Sequence, residues 1–343
     1  MKKVLITMCA AIAVLACTKT EVAFDEPNEI AFSPVSKFET KAAVASGASI
    51  GQDFIAWANT VPTTGASQAY FSDVLFTSPT DGVYVGSPTQ YWPNATALKF
   101  AGVTKSGNIG ASTSPATVSM TAWGTINVIG YTQPDPSVES TTNDLMWFFD
   151  DNTDDKGYVG DASTIVRPTA SHACSWITVA VKLADYLVDT DNSKDGNQPY
   201  WTNVTVKNIK FETLKTTGAV TLGTSAAWTG TSGAQSNVVI YNNDTGVVVG
   251  DAAKTIENEE NNVVVIPQEP TTLSMTYSYN TPATGSVTET VTGISLDYDG
   301  DEAWKPGKHY TYTLTIGADE IKIAPASDDW TSASGSGLTQ DVK

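Results

Sequence analysis

The stretch from Asn262 to Ile323 decides the fold of this chain. It opens with the apolar run Val263-Val-Val-Ile266 and continues, after a Pro-containing break, as Leu273-Ser-Met-Thr-Tyr-Ser-Tyr279. A segment from Val287 to Tyr298 follows, and then Trp304-Lys-Pro-Gly-Lys-His-Tyr-Thr-Tyr-Thr-Leu-Thr-Ile316. Short polar breaks separate these four segments, which is the spacing expected of strands in an all-β domain.

The last of the four segments alternates between two faces. One face carries Tyr310, Tyr312, Leu314 and Ile316, and the other carries His309 and three threonines. Period-two alternation of aromatic and β-branched residues predicts a strand that is buried on one face. The Pro306-Gly307 dipeptide predicts the turn that starts this strand. Together the four segments predict an antiparallel β-sandwich module.

The same stretch resembles the second half of the fimbrillin family, the type V pilin lipoproteins of Gram-negative anaerobes. The resemblance lies in Val-Ile-Pro-Gln at 265–268, in the Trp-x-Pro-Gly-x-x-Tyr-x-Tyr-x-Leu-x-Ile segment, and in Trp330. Two further motifs, Tyr91-Trp92-Pro93 and Asp144-Leu-Met-Trp-Phe-Phe149, resemble elements of the family's first domain. The resemblance implies an all-β protein with two tandem Greek-key (transthyretin-like) β-sandwich domains.

The composition of the chain favours strands and excludes nucleic acid as a partner. The 343 residues give room for two domains, and Thr, Ser, Asn, Gly and Val are abundant, which favours strands and turns. The net charge is −18, with a single arginine, Arg167. Binding to nucleic acid needs a basic face, and this chain is strongly acidic.

The N-terminus has the features of an export signal. Met1-Lys-Lys precedes an apolar run from Val4 to Leu15, which is too short to span a bilayer. Val14-Leu-Ala-Cys17 resembles the lipobox of bacterial lipoproteins, which implies lipidation of Cys17 and an anchor in the outer membrane. The alternative is an ordinary signal peptide in which Cys17 is incidental.

Cysteine usage predicts no disulfide within the exported chain. Cys9 leaves with the leader and lipid occupies Cys17, so Cys174 is left without a partner. Cys174 lies in His172-Ala-Cys-Ser-Trp-Ile-Thr-Val-Ala-Val181, which reads as one alternating strand led by a structural histidine. A buried, inert thiol is the favoured interpretation over a nucleophile.

The segment after the leader predicts a removable strand. Glu29-Ile-Ala-Phe-Ser33 is a short strand-like run ended by Pro34, and a flexible Ala/Ser/Gly patch follows at 45–51. In fimbrillins a trypsin-like protease cuts in this region, commonly after an Arg. Here Thr40-Lys41-Ala42 stands in that place, so the resemblance implies processing between Lys41 and Ala42. The alternative is that Lys41 is a solvated linker residue.

These features divide the chain into four parts. Residues 1–16 are predicted to be a signal peptide, 17–41 a lipidated leader with the removable strand, 42–165 the N-terminal β-sandwich domain, and 166–343 the C-terminal domain. The polar, Asp- and Gly-rich residues 150–172 read as the linker region between the domains. The tail at 328–343 is the candidate donor strand, although its apolar residues (Trp330, Leu338, Val342) are thinly spaced.

No motif for catalysis, a cofactor or a metal is found in the sequence. Asp191-Asn-Ser-Lys-Asp-Gly196 and Asp297-Tyr-Asp-Gly-Asp-Glu302 suggest calcium loops, but the first has Thr202 where an EF-hand needs Glu. Turn-forming Asp and Asn explain both loops without metal. No Gly-rich phosphate loop and no Cys/His metal spacing occurs. A carboxylate-based hydrolase stays a weaker hypothesis because no pair of acids stands out.

The leading functional hypothesis is a structural subunit of a cell-surface fimbria (pilus), exported as a lipoprotein, trimmed by a trypsin-like protease and polymerised by strand exchange. The implied partners are other fimbrial subunits, the processing protease, the outer membrane, and the host or bacterial glycans or proteins to which a fimbria adheres. Position in the shaft, at the tip or at the anchor stays open. The second hypothesis is a monomeric surface lipoprotein that binds glycans through exposed tryptophans such as Trp201 and Trp228.

Overall fold

The computed structural model describes residues 28–36, 50–80, 82–134, 144–152, 156–161, 163–188, 201–256, 263–281, 283–296, 303–318 and 320–329. About two thirds of this part is strand, and its one helix is short, α1 (Asp185–Val188). The all-β prediction is confirmed, while the tandem Greek-key connectivity and the two-domain division stay predictions. The strands are β1 (Ala31–Phe32), β2 (Val35–Ser36), β3 (Phe54–Val61), β4 (Ala69–Thr80), β5 (Val83–Ser87), β6 (Ala97–Thr104), β7 (Thr117–Ala122), β8 (Thr125–Thr132), β9 (Met146–Asp150), β10 (Ile165–Val166), β11 (Thr169–His172), β12 (Ser175–Leu183), β13 (Thr202–Leu222), β14 (Ala226–Val248), β15 (Lys254–Thr255), β16 (Val263–Val265), β17 (Thr272–Thr281), β18 (Gly285–Ser295), β19 (Lys308–Ile316) and β20 (Ile321–Asp329).

The first sheet closes on itself as a barrel. Its strand order is β10-β1-β5-β4-β3-β6-β9-β11-β2. Strands β1 and β2 belong to one extended segment, and β10 and β11 belong to another, paired with it in parallel at one constant register. The order therefore returns to its starting point. Because a closed sheet has no free edge, every strand of this barrel pairs with another strand on each side.

The interior of the barrel is filled by aromatic and aliphatic side chains from alternate positions of its strands. Gly102 on β6 shows how tightly it is packed, because a Cβ there would lie 2.3 Å from Cζ of Phe148. The buried residues of this core are Ile30, Phe32, Ile50, Phe54, Ala56, Ala58, Phe71, Val74, Phe76, Tyr84, Trp92, Leu98, Phe100, Met146, Phe148, Val166 and Ala170.

Two further sheets, formed mostly by the C-terminal half of the chain, surround a second core. One sheet has the order β15-β12-β19-β20, with β16 also paired to β12, and the other has the order β18-β17-β13-β8-β7, with β14 paired to β13. Trp304 is almost fully buried between them, and its indole N–H donates to the Tyr312 hydroxyl at 2.7 Å. The Pro306-Gly307 turn and the inward face of β19 are confirmed.

Two sequence-based predictions about connectivity were wrong. β19 is parallel to β12, whereas the stretch at 262–323 was predicted to form an antiparallel module. The region 150–172 is not simply a linker, since it contains β10 and β11. These two strands are short and interrupted by Pro168, so they carry too few residues for a period-two pattern.

The long hairpin β13–β14 connects the two halves of the molecule. The first part of β13 pairs with β17, and its last part, Thr217–Leu222, pairs with β8. A third apolar cluster lies here and combines Trp57 and Trp147 from barrel strands with Trp176 from β12. β13 therefore joins β7 and β8 to β17 and β18 in one sheet, while the barrel is a separate sheet that meets this region through the apolar cluster.

Candidate assembly site

The segment 28–36 occupies a groove between β5 and the β10–β11 segment. It is extended and hydrogen-bonded through its main chain on both sides, as a sheet requires of an internal strand. The bonds outside the regular strand pairs include Ile30 N to Gln90 O at 2.8 Å, Trp92 N to Asn28 O at 2.8 Å, Ser33 N to Val166 O at 2.8 Å and Val35 N to Pro168 O at 3.0 Å. The segment is therefore an integral strand of the barrel.

The inward side chains of this segment form part of the barrel core. Ile30, Phe32 and Pro34 are buried at alternate positions, while Ala31 and Val35 between and after them are half-buried. Alternation of this kind is the signature of a strand with one face on a core. The strand-like run predicted from residue 29 to residue 33 is thus present, and the extended segment continues past Pro34 to Ser36.

Phe32 is the centre of an aromatic cluster. Its side chain is fully buried, and its ring meets three others edge-on: Phe76 at 4.8 Å, Phe100 at 5.0 Å and Phe54 at 5.5 Å between centroids. Edge-to-face pairs at these distances add about 0.5–1.5 kcal/mol each to the burial of apolar area. Removal of Phe32 would leave a pocket lined by aromatic rings in the middle of the barrel.

A buried polar pair fixes the strand that neighbours residues 28–36. His172 on β11 bonds through Nδ1 to Asp144 Oδ2, directly before β9, and both residues are buried. The main-chain oxygen of Asp144 accepts hydrogen bonds from Gln52 Nε2 at 3.1 Å and Thr104 Oγ1 at 3.3 Å. The histidine is structural, as predicted, and it ties β9 to the segment against which residues 28–36 pack.

Cys174 is buried completely in the described structure, which confirms the prediction of a buried thiol. Burial, and to a smaller extent the nearby Asp144, raise the pKa of the thiol well above its usual value, so it is protonated and unreactive at neutral pH. The prediction of one alternating strand around it was wrong, because a bend at 173–174 separates β11 from β12.

The two tryptophans proposed for glycan stacking are not exposed. Trp201 is buried and stacks on Tyr279 with 3.8 Å between ring centroids. Trp228 is half-buried, and its indole N–H donates to the Ala173 carbonyl at 2.7 Å. Large aromatic side chains with apolar neighbours are ordinary core residues. The prediction that these two residues are exposed was therefore wrong.

The predicted processing and lipidation residues lie outside the described part of the chain. This applies to Cys17, Lys41 and Ala42, to both acidic loops and to the tail from 330 onwards. Within the described ranges no group of three or more His, Cys, Asp or Glu is arranged to hold a metal ion. No helix in the same ranges is long and apolar enough to cross a membrane.

Comparisons with known proteins place the chain in a family. A family model described as fimbrillin-like matches residues 40–330. A fimbrial protein from Bacteroides vulgatus has the same fold, with a TM-score of 0.59 at 17% identity over 88% of this chain and 99% of that one. The tip fimbrial protein Mfa3 from Porphyromonas gingivalis, with a C-terminal truncation, matches with a TM-score of 0.39 at 9% identity over 88% of this chain and 98% of that one. No curated protein sequence matches significantly. Because the family model spans most of the sequence, the chain belongs to the fimbrillin-like family.

Proposed function

We propose that this fimbrillin-like protein is a structural subunit of a cell-surface fimbria that supports adhesion. The chain is exported, lipidated at Cys17 and held at the outer membrane, then cut between Lys41 and Ala42 by a trypsin-like protease. Strand exchange with other subunits follows. The observation that supports this best is the placement of residues 28–36, which complete the barrel although they precede the candidate cleavage site in the sequence.

Cleavage at Lys41 would convert this segment from a covalent part of the barrel into a bound peptide. Its departure would uncover the unpaired main-chain groups of β5 and of the β10–β11 segment. It would also uncover the aromatic pocket of Phe32. An open edge beside an apolar groove binds an extended segment through main-chain hydrogen bonds and alternate side chains.

Such an exchange yields a filament when each subunit both receives and donates a strand. The contact is head-to-tail, because the groove of one subunit meets a different surface of the next. A heterologous contact of this kind continues indefinitely unless its rotation closes a ring. The barrel geometry therefore supports polymerisation as the consequence of trimming.

A reversible disulfide that holds residues 28–36 in the groove, here called the lock, tests this function. Ala31 and Val85 are opposite each other on neighbouring strands, and both side chains are half-buried on the outer side of the barrel. Opposed residues have Cβ atoms about 4.5–5.5 Å apart, so cysteines there are within reach of a disulfide or a short dithiol crosslinker. In cells that express the full-length A31C/V85C double variant, we expect oxidation to keep the segment in its groove after cleavage. Fimbriae should then be absent, and reduction should restore them.

The single variants A31C and V85C are the matched controls, since neither can form the lock. Both should assemble to the wild-type level under oxidising and reducing conditions, as judged by electron microscopy and by ladders of subunits on gels. If the locked double variant formed fimbriae as abundantly as the wild-type chain, departure of residues 28–36 would not be required, and strand exchange at this groove would be wrong.

A further inference from the structure

Strand β18 is an edge strand without the usual protection against edge-to-edge pairing. Within the described part of the chain it pairs only with β17, and this pairing is regular from Gly285 to Val291. Natural edge strands are commonly protected by lysine, proline or bulges. The edge strand β20 contains Lys322 and Pro325, and the register of β14 against β13 shifts at three places. β18 contains neither lysine nor proline.

The sequence of this edge is nearly the same in both directions. It is Gly285-Ser-Val-Thr-Glu-Thr-Val-Thr-Gly293, with Glu289 at the centre. When it is read backward, only Ser286 and Thr292 exchange places, and both carry a hydroxyl. The two terminal glycines both have a positive φ, 71° and 68°. An antiparallel pair of such strands with a two-fold axis through Glu289 therefore places each residue opposite one of the same chemical type.

We propose that β18 pairs in this way with β18 of a second copy of this chain. The pairing joins the six-stranded sheets of the two copies into one. It goes beyond the proposed strand exchange and does not use the barrel groove. Because the same surface is used by both copies, the contact closes after two chains and cannot by itself extend a filament.

The side chains that meet in this register stabilise a sheet. On the face toward the core, Val287 of one copy lies opposite Val291 of the other. Both valines are half-buried at the border of the C-terminal core, so a partner strand covers apolar surface that water now reaches. On the outer face, Thr288 lies opposite Thr290. Threonines on neighbouring strands exchange hydrogen bonds, as Thr276 and Thr290 do within this chain at 2.9 Å.

Glu289 is the one unfavourable position, because the two-fold axis places it opposite the same residue of the other copy. Its carboxylate accepts hydrogen bonds from the hydroxyls of Tyr277 at 3.0 Å and Tyr279 at 2.7 Å, which hold it toward β17 of its own chain. No other residue from 285 to 293 is charged, in a chain whose net charge is −18. Two acidic chains therefore meet little further repulsion along this edge.

The strength of the contact depends on how close the chains are held. One strand pair is small beside the about 1,200–2,000 Å² of a stable interface, so separate chains in solution should pair weakly. Chains anchored or assembled side by side meet at a high effective concentration, which raises the fraction that is paired without any new contact.

Mixed cysteine variants test the contact and its register. Thr288 and Thr290 are exposed, and opposed residues have Cβ atoms about 4.5–5.5 Å apart. Full-length T288C and T290C chains, mixed and oxidised, should form a covalent dimer and no larger species on a denaturing gel. Both chains also carry C9S/C17S, which leaves the buried Cys174 as the only native thiol.

Displaced cysteines are the matched controls. T288C alone, T290C alone and T288C mixed with T292C should each give at least about tenfold less dimer, because the two cysteines are then one pleat repeat apart. If the T288C/T290C mixture gave no more dimer than these controls, pairing of β18 in this register would be wrong. Covalent species larger than a dimer would overturn the two-fold contact.

A variant that adds lysines to the edge provides a second test without a crosslink. T288K/T290K places like charges opposite each other, and it should stay monomeric in sedimentation at a concentration that pairs the wild-type chain. The control A227K/T229K adds the same charges at exposed positions of β14 and should pair as the wild-type chain does. Equal sedimentation of T288K/T290K and the wild-type chain would contradict the assignment of β18 as the contact.

Discussion

Replacing Phe32 with alanine should lower the free energy of unfolding of the untrimmed, lipid-free chain by about 3–5 kcal/mol. The ring is fully buried and has edge-to-face contacts with Phe54, Phe76 and Phe100. Alanine removes most of this apolar area and leaves a cavity that the surrounding rings, held on three different strands, can close only in part. Urea unfolding followed by tryptophan fluorescence measures the change.

Two further substitutions show how the loss of stability depends on the volume and the side of the strand that is changed. Phe32→Leu keeps much of the volume and should cost about 1–2 kcal/mol. Ala31→Ser, on the outer side of the same strand, should stay within about 0.5 kcal/mol of the wild-type chain. A loss below about 1 kcal/mol for Phe32→Ala would contradict the barrel, because it would mean that residues 28–36 do not complete its core in solution.

Replacing Asp144 with alanine should lower the free energy of unfolding by about 3 kcal/mol or more. The substitution leaves the buried His172 without its carboxylate partner, and a buried polar group without its partner keeps the full cost of desolvation. The effect should extend to the groove, since the pair connects β9 to the strand segment that receives residues 28–36. The same urea titration measures it.

The substitution Asp144→Asn distinguishes the contribution of the hydrogen bond to stability from that of the carboxylate charge. Asp144→Asn retains an oxygen acceptor toward His172 and should lose less than half as much stability as the alanine variant. Asp251→Ala, which removes an exposed carboxylate, should change stability by no more than about 0.5 kcal/mol. If all three variants unfolded at the same urea concentration, the buried pair would contribute nothing and its role in closing the barrel would be wrong.

Strands with a full period-two pattern could be predicted from the sequence, and their partners could not. β19 has nine residues with its apolar side chains on one face, and β17 is similarly clear, so local patterning is sufficient to identify them. The neighbours of β19 are set by contacts between segments far apart in sequence. Its parallel partner β12 was therefore not foreseen.

The candidate assembly site shows the same limit, since its strand could be predicted from the sequence and the partner of that strand could not. The run Glu29–Ser33 has a visible alternation of Ile30 and Phe32, and it was recognised as a strand. Its partner at 165–170 contains two residues of β10, a Pro168 and part of β11, and its parallel pairing has no local sign in the sequence.

The most direct test of the whole account is mass spectrometry of the N-terminus of subunits in fimbriae purified from the cell surface. The account predicts chains that start at Ala42 and contain no peptide from residues 28–36. Chains that start at a lipid-modified Cys17, with Glu29–Ser36 still covalently attached in the assembled filament, would contradict trimming and strand exchange at the barrel groove.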